Sequence, residues 1–243
     1  IHGCMPELEL LYVADTAYAP YSCLRSAEIR QRACRITEFL FQQGAEAVVV
    51  ACNTATAVAI RTLRRIHSRP LVGMEPAIKP ALERTRTGRI GIMATEVTLA
   101  SERYLELARR WRDRTEIHPQ PCPDLVREVE QGNWEGAGLR SLLQDYVSPL
   151  LARGVDTLVL GCTHYHFLKP ELFRVVGSET AILDPCYPVA RQLARVLFLE
   201  FPTPSEKNAA GEVRFWTSGD RAYFREQLDR VWRPGARMDK LSV

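Results

Sequence analysis

The chain has 243 residues, 46% of them hydrophobic and 25% charged, with a net charge of +3. That length supports one large or two small domains with sizeable cores. The modest charge, with arginines scattered among acids and no basic stripe interleaved with aromatics, argues against a nucleic-acid partner, and no apolar run approaches the ~20 residues that span a bilayer.

In chain order, strand-like runs are predicted at Leu10–Ala14, Ala47–Ala51, Arg89–Ala94, Asp156–Gly161, Ala181–Leu183 and Val213–Trp216. Helix-like stretches lie between them. Ser26 is placed as the cap of a helix running to Gly44, read as its C′ glycine. Thr54–His67 follows and ends before Pro70. Thr98–Arg112, Glu135–Arg153 (closed by Gly154), Val189–Glu200 and Asp220–Val231 complete the set, and Pro202–Gly211 reads as a surface loop. This alternation predicts parallel βαβ units in an α/β fold. No signal peptide is visible, and because the chain starts at Ile1 rather than Met, an upstream segment is expected. Seven cysteines, an odd number with no C-x-x-C pair, fit reduced thiols of the cytoplasm better than a disulfide framework.

Two of those cysteines stand apart. Val48-Val49-Val50-Ala51 leads into Cys52-Asn53-Thr54, and Thr157-Leu158-Val159-Leu160-Gly161 leads into Cys162-Thr163-His164. Continuous Val-rich runs read as strands covered on both faces, and open α/β sheets bind ligands beyond the carboxyl ends of their strands. The same plan thus occurs twice, 110 residues apart, which suggests two similar lobes facing each other. A helix start after each thiol offers free N–H groups and a dipole. That geometry is expected to lower a thiol pKa from its free value of about 8.5. Asn53-Thr54 and Thr163-His164 add donors suited to a carboxylate.

Three chemistries compete. One thiol could be a nucleophile with a histidine base, which leaves the other unexplained. Cys162, His164 and His166, spaced i, i+2, i+4, could ligate a metal, although Phe167-Leu168-Lys169-Pro170 supplies no second ligand cluster. Or the two thiols could flank a substrate carbon, one removing a proton from one face while the other donates to the opposite face. The last reading alone needs two thiols in like settings. The remaining cysteines read as packing.

Five segments carry a resemblance: Tyr12–Tyr21 (YVADTAYAPY), Val50–Ala57 (VACNTATA), Val72–Ala81 (VGMEPAIKPA), Pro121–Val126 (PCPDLV) and Leu158–Tyr165 (LVLGCTHY). In this order, over nearly the whole chain, they resemble the bacterial glutamate racemases of the aspartate/glutamate racemase family. His164, where aspartate racemases usually carry an acid, favours glutamate. The resemblance implies two pseudo-symmetric α/β lobes, each a mainly parallel sheet flanked by helices, with the active site between them. The lobes are expected at 1–75 with 186–243, and at 76–185. It implies racemisation of L- to D-glutamate without a cofactor, supplying D-glutamate for peptidoglycan in cell-wall biogenesis and cell shape. It also implies a cytoplasmic location, no membrane partner, and room for a homodimer. Cys52 and Cys162 would be the acid/base thiols, Cys52 acting on the D-isomer and Cys162 on the L-isomer with His164 assisting. Tyr21, Ser22, Asn53, Thr54, Thr95, Thr163 and His164 would bind substrate, and Glu130 would tune the Cys162 side. No metal is expected. The chain has only four lysines, Lys79, Lys169, Lys207 and Lys240, and none stands at a strand end beside a phosphate-cradling glycine loop, as a pyridoxal site would need.

Three departures accompany the resemblance. The family's opening strand and Asp-Ser-Gly loop precede the point at which this chain begins, so the reading expects either an upstream segment or an impaired, racemase-like scaffold with a binding or regulatory role. Ser22 replaces a glycine, with strain expected if that position needs φ > 0. His166 replaces a proline and reads as a partly exposed loop histidine or as a group that retunes Cys162.

Overall fold

A computed structural model describes residues 1–199, 211–232 and 236–241. The expected loop at 202–211 lies outside the described residues except for Gly211. The first half of the chain forms β1 (Leu10–Ala14), α1 (Ser26–Gln42), β2 (Val48–Val50), α2 (Asn53–Ile66), β3 (Leu71–Gly73), α3 (Ile78–Arg84), β4 (Arg89–Ala94), α4 (Glu96–Ala100), α5 (Glu102–Arg109) and β5 (Glu116–Pro121). The rest forms α6 (Pro123–Glu130), α7 (Ala137–Ala152), β6 (Thr157–Leu160), α8 (Lys169–Val176), β7 (Ala181–Leu183), α9 (Cys186–Val196), β8 (Val213–Thr217), α10 (Arg221–Val231) and β9 (Met238–Lys240). These elements divide into two compact units. The first comprises residues 1–50, 59–72 and 186–243; the second, 51–58 and 73–185.

The first unit holds a three-stranded parallel sheet, β1–β8–β9, in which Tyr12 lies opposite Phe215 and Phe215 opposite Met238. Strands β2 and β3 form a separate pair. Leu40, Val48, Ile60, Leu63 and Leu71 build one apolar cluster against Leu11 and Val13 of β1; Phe215, Phe224, Leu228 and Met238 build another. Helix α1 ends as the sequence predicts. Gly44 takes φ +93°, and Ala45 N–H bonds Leu40 O while Gly44 N–H bonds Phe41 O, which satisfies the last carbonyls. Its start differs. Arg25, not Ser26, is the cap, and the Glu28 carboxylate accepts the Arg25 N–H at 3.0 Å.

The second unit is built on a four-stranded parallel sheet in the order β5–β4–β6–β7. Its two central strands, β4 and β6, are buried almost throughout. Side chains alternate between faces. Leu158, Leu160 and Met93 enter the cluster under α6, α7 and α8, whereas Val159, Ile90 and Ile92 enter the one under α3 and α5. Gly91 permits this packing, because a Cβ there would lie 2.8 Å from Leu158 Cδ2 and 2.9 Å from Leu150 Cδ1.

The strands that the sequence did not reveal are β3, β5 and β9. Strand β5 carries Pro119 and Pro121, which an interior strand would not tolerate, but it lies at a sheet edge where a missing N–H costs little. His118 is buried on it and lies 3.2 Å from Glu116. The helix expected at Thr98–Arg112 is two helices. Ser101 breaks out of helical geometry (φ −69°, ψ 141°) and caps α5 by accepting the Tyr104 N–H. Thr95 caps α4 by accepting the Thr98 N–H. Among the described residues no helix is long and apolar enough to cross a membrane.

Candidate active site

Both singled-out thiols belong to the second unit, because residues 51–58 cluster with 73–185. Cys52 immediately precedes α2, and its Sγ accepts the Ala55 N–H at 3.4 Å. It thus occupies the position where a helix start presents unpaired donors. Those donors do not decide its proton affinity. Burial pushes the Cys52 thiol up to about 11 against the opposing bonds from Ala55 and Thr54, and negative charge on Cys162 adds to the rise. The depression expected from the helix start is therefore outweighed, because removing a thiolate from water costs more than these neutral donors return.

Asn53 and Thr54 open α2, and both are buried. Thr54 Oγ1 lies 3.0 Å from Thr95 Oγ1 and 3.2 Å from Thr98 Oγ1, and Thr95 donates to Thr98 at 3.0 Å. Three buried hydroxyls thus close a ring. Thr98 was not among the residues singled out from sequence; its signal was the Thr-x-x-Thr spacing, which places two hydroxyls on the first turn of one helix. Asn53 is the opposite case. Neither Oδ1 nor Nδ2 has a hydrogen-bond partner although the residue is 3% exposed. A buried amide left with free capacity is costly and is available to a ligand. It lines a small cleft with Thr98, Ser101, Arg103 and Tyr104.

Cys162 follows β6 in extended geometry (φ −141°, ψ 136°) and leads into a 3₁₀ segment, Thr163–Leu168. It is buried, and its Sγ lies 3.8 Å from His164 Nδ1. His164 Nε2 is 2.6 Å from Oε1 of Glu130, the last residue of α6. Burial opposes the charged imidazole, but the bonds to Cys162 and Glu130 outweigh it and push His164 up to about 10. At neutral pH His164 is therefore an imidazolium with one N–H toward the carboxylate and one toward the sulfur. Thr163, half-buried, opens the turn between them.

The sequence matches the Asp/Glu/Hydantoin racemase family over residues 1–193. The chain belongs to that family. It is 46% identical over 233 residues to a glutamate racemase of Pseudomonas putida, covering 96% of this chain and 87% of the relative. It is 44% identical over 244 residues to that of Pseudomonas aeruginosa, covering 100% and 91%. Among solved structures, the RacE1 glutamate racemase of Bacillus anthracis superposes with a TM-score of 0.89 at 27% identity, covering 100% of this chain and 91% of that one. The Escherichia coli glutamate racemase, solved with L-glutamate and the activator UDP-MurNAc-ala, gives 0.85 at 29% identity, with 100% and 92% covered. The resemblance and the α/β class read from sequence are thereby borne out, and the chain is an isomerase of the glutamate racemase group.

Within this racemase Cys162, His164 and His166 do not come together as one ligand set. His166 turns away from Cys162 and lies 3.4 Å from Asp184, which also accepts from Lys169 at 2.8 Å, while His164 Nε2 is committed to Glu130. Tyr21 and Ser22 belong to the first unit, in a 3₁₀ turn at Tyr21–Cys23. Tyr21 OH donates to Asp15 Oδ2 at 2.6 Å, and Arg32 clamps that carboxylate at 2.8 and 3.0 Å. Among the described residues Phe198 is the non-glycine with positive φ, so Ser22 carries no such strain. None of the seven cysteines is in a disulfide.

Proposed function

We propose that this chain interconverts L- and D-glutamate, with Cys52 and Cys162 as opposed acid/base groups and no cofactor. The observation that carries the reading is the pairing of two thiols in one unit with unlike surroundings. Cys52 is held as a neutral thiol by burial, and Cys162 faces an imidazolium. An acid/base pair needs such divergence.

In the L-to-D direction Cys162, charge-partnered by His164, takes the α-proton. Its electron pair stays on the α-carbon, delocalised into the carboxylate. The Cys52 S–H then donates to the opposite face, leaving Cys52 as the thiolate and Cys162 as the thiol. Proton exchange resets the pair. The reverse direction begins from Cys52. The carbanion needs fixed donors on the carboxylate. Asn53, with its unused amide, and Thr54, Thr95 and Thr163 suit that role in the second unit, and Glu130 holds His164 in its charged form. Tyr21 and Ser22 enter as substrate contacts on the resemblance alone. The same reading places the enzyme in the cytoplasm, where its product would feed peptidoglycan, and allows a homodimer.

The experiment is incubation with L-glutamate in D₂O, following Cα–H exchange by NMR beside optical rotation. Exchange with loss of rotation supports two working thiols. Exchange with retained rotation means that one face reprotonates alone, and no exchange sinks the reading.

A further inference from the structure

The Thr163–Leu168 segment is a 3₁₀ turn, a short element with poor intrinsic hydrogen bonding. Yet it presents His164 to Glu130 at 2.6 Å. Something outside the turn holds it.

Two side chains span from this region to α6, one near each of the helix's ends. Next to His164, Tyr165 is 1% exposed, and its hydroxyl donates to Cys122 O at 2.7 Å. Cys122 is the N-cap of α6, and its own N–H bonds Ala94 O at the end of β4. At the other end of α6, Gly132 takes φ +79°. Asn133 N–H then reaches Glu128 O at 2.9 Å, and Gly132 N–H reaches Val129 O at 2.9 Å. This closes the helix and turns the chain back on itself. The returning Trp134 donates from Nε1 to Val129 O at 3.0 Å, one residue before Glu130. Its ring stacks on Phe167, three residues after His164, at 4.9 Å between centroids and 24° between planes.

We propose that Tyr165 and Trp134 are positioning residues that pin the turn to α6 at both ends and thereby fix the His164–Glu130 pair behind Cys162. The inference rests on the proposed reading only in taking that pair to serve Cys162; the brace itself is a matter of geometry. Neither residue need touch substrate.

The test compares Tyr165→Phe, Trp134→Phe and their double variant with a control, Leu172→Ala. The control loosens the same apolar cluster and leaves the bonding groups of both bridges in place. Imidazole-¹⁵N NMR reads the His164 Nε2–H proton, identified by its loss in His164→Gln. Racemisation is measured in both directions alongside. The phenylalanine variants are expected to shift the Nε2–H resonance upfield, hasten its exchange, and lower kcat about tenfold with little change in KM. That is less than the ~10²-fold cost of an ångström misplacement. The double variant should lose most. The control should lower the melting temperature while leaving the resonance in place. An unmoved resonance in the double variant, or an equal shift in Leu172→Ala, overturns the brace. A shifted resonance with unchanged kcat keeps the brace and sinks the role given to His164.

Discussion

The segments around Cys52 and Cys162 start from one sequence plan, a buried strand followed by a thiol and small polar residues, and end as different electrostatic devices. Cys52 leads into a 14-residue α-helix and is bonded by neutral donors, the Ala55 N–H and Thr54, whose hydroxyl joins those of Thr95 and Thr98. Cys162 leads into a six-residue 3₁₀ turn and faces a histidine backed by a carboxylate. Neutral donors did not offset desolvation of the first thiol, whereas at His164 the bonds to Cys162 and Glu130 exceeded the cost of burial. Repeating a motif therefore does not repeat its chemistry. The partner supplied from elsewhere in the fold decides it.

Removing either thiol should break the comparison most severely. Cys52→Ala and Cys162→Ala are each expected to lose at least ~10³-fold in racemisation, within the span that general acid/base groups supply. Each should keep the fold, as measured by circular dichroism. If Cys52→Ala retained full turnover in both directions, the two-thiol mechanism would be wrong.

Next in size, Glu130→Gln and His164→Gln should slow proton removal at Cys162 by roughly 10–10²-fold, with the L-to-D direction suffering more under single-turnover conditions. Equal losses in both directions would show that the two sides are not electrostatically distinct.

The same pair makes a stability prediction with a definite sign. His164 has its folded pKa raised to about 10, above the ~6.5 of an unfolded histidine. Its contribution is complete below ~6.5, declines as pH rises, and is gone above about 10. Urea midpoints measured from pH 6 to 10.5 should therefore fall less steeply in His164→Gln than in the native chain. Parallel slopes would contradict the raised pKa.

On the Cys52 side, Thr98→Val removes one hydroxyl of a buried ring and leaves its neighbours short of a partner, a cost of about 1–3 kcal/mol. Chemical denaturation checks it, and the His164 resonance should not move. The smallest effect is expected from His166→Ala. That side chain is half exposed and directed to Asp184, so kcat should stay within about twofold, in line with surface substitutions.

Much of this was legible before the structure. The apolar runs at 90–94 and 157–160 read as covered strands and are buried throughout, the run at 48–50 is a strand buried only at Val48, and the two thiols at strand ends marked the candidate site. Gly44 and Gly154 marked helix ends because both take positive φ, at +93° and +78°. Other features were hidden because no local pattern encodes them. Strand β5, with two prolines, is a strand only because β4 lies beside it. Asn53 shows as an unsatisfied amide only once its surroundings are closed. The sequence determined which residue types bear the chemistry and that they follow strands, since hydrophobic period and residue identity are local properties. Tertiary structure alone decided that residues 51–58 join the unit of Cys162, that His166 pairs with Asp184, and that Glu130, 34 positions from His164, closes on it at 2.6 Å. Proton affinity depends on distance and burial, and those are set by contacts between residues far apart in the chain.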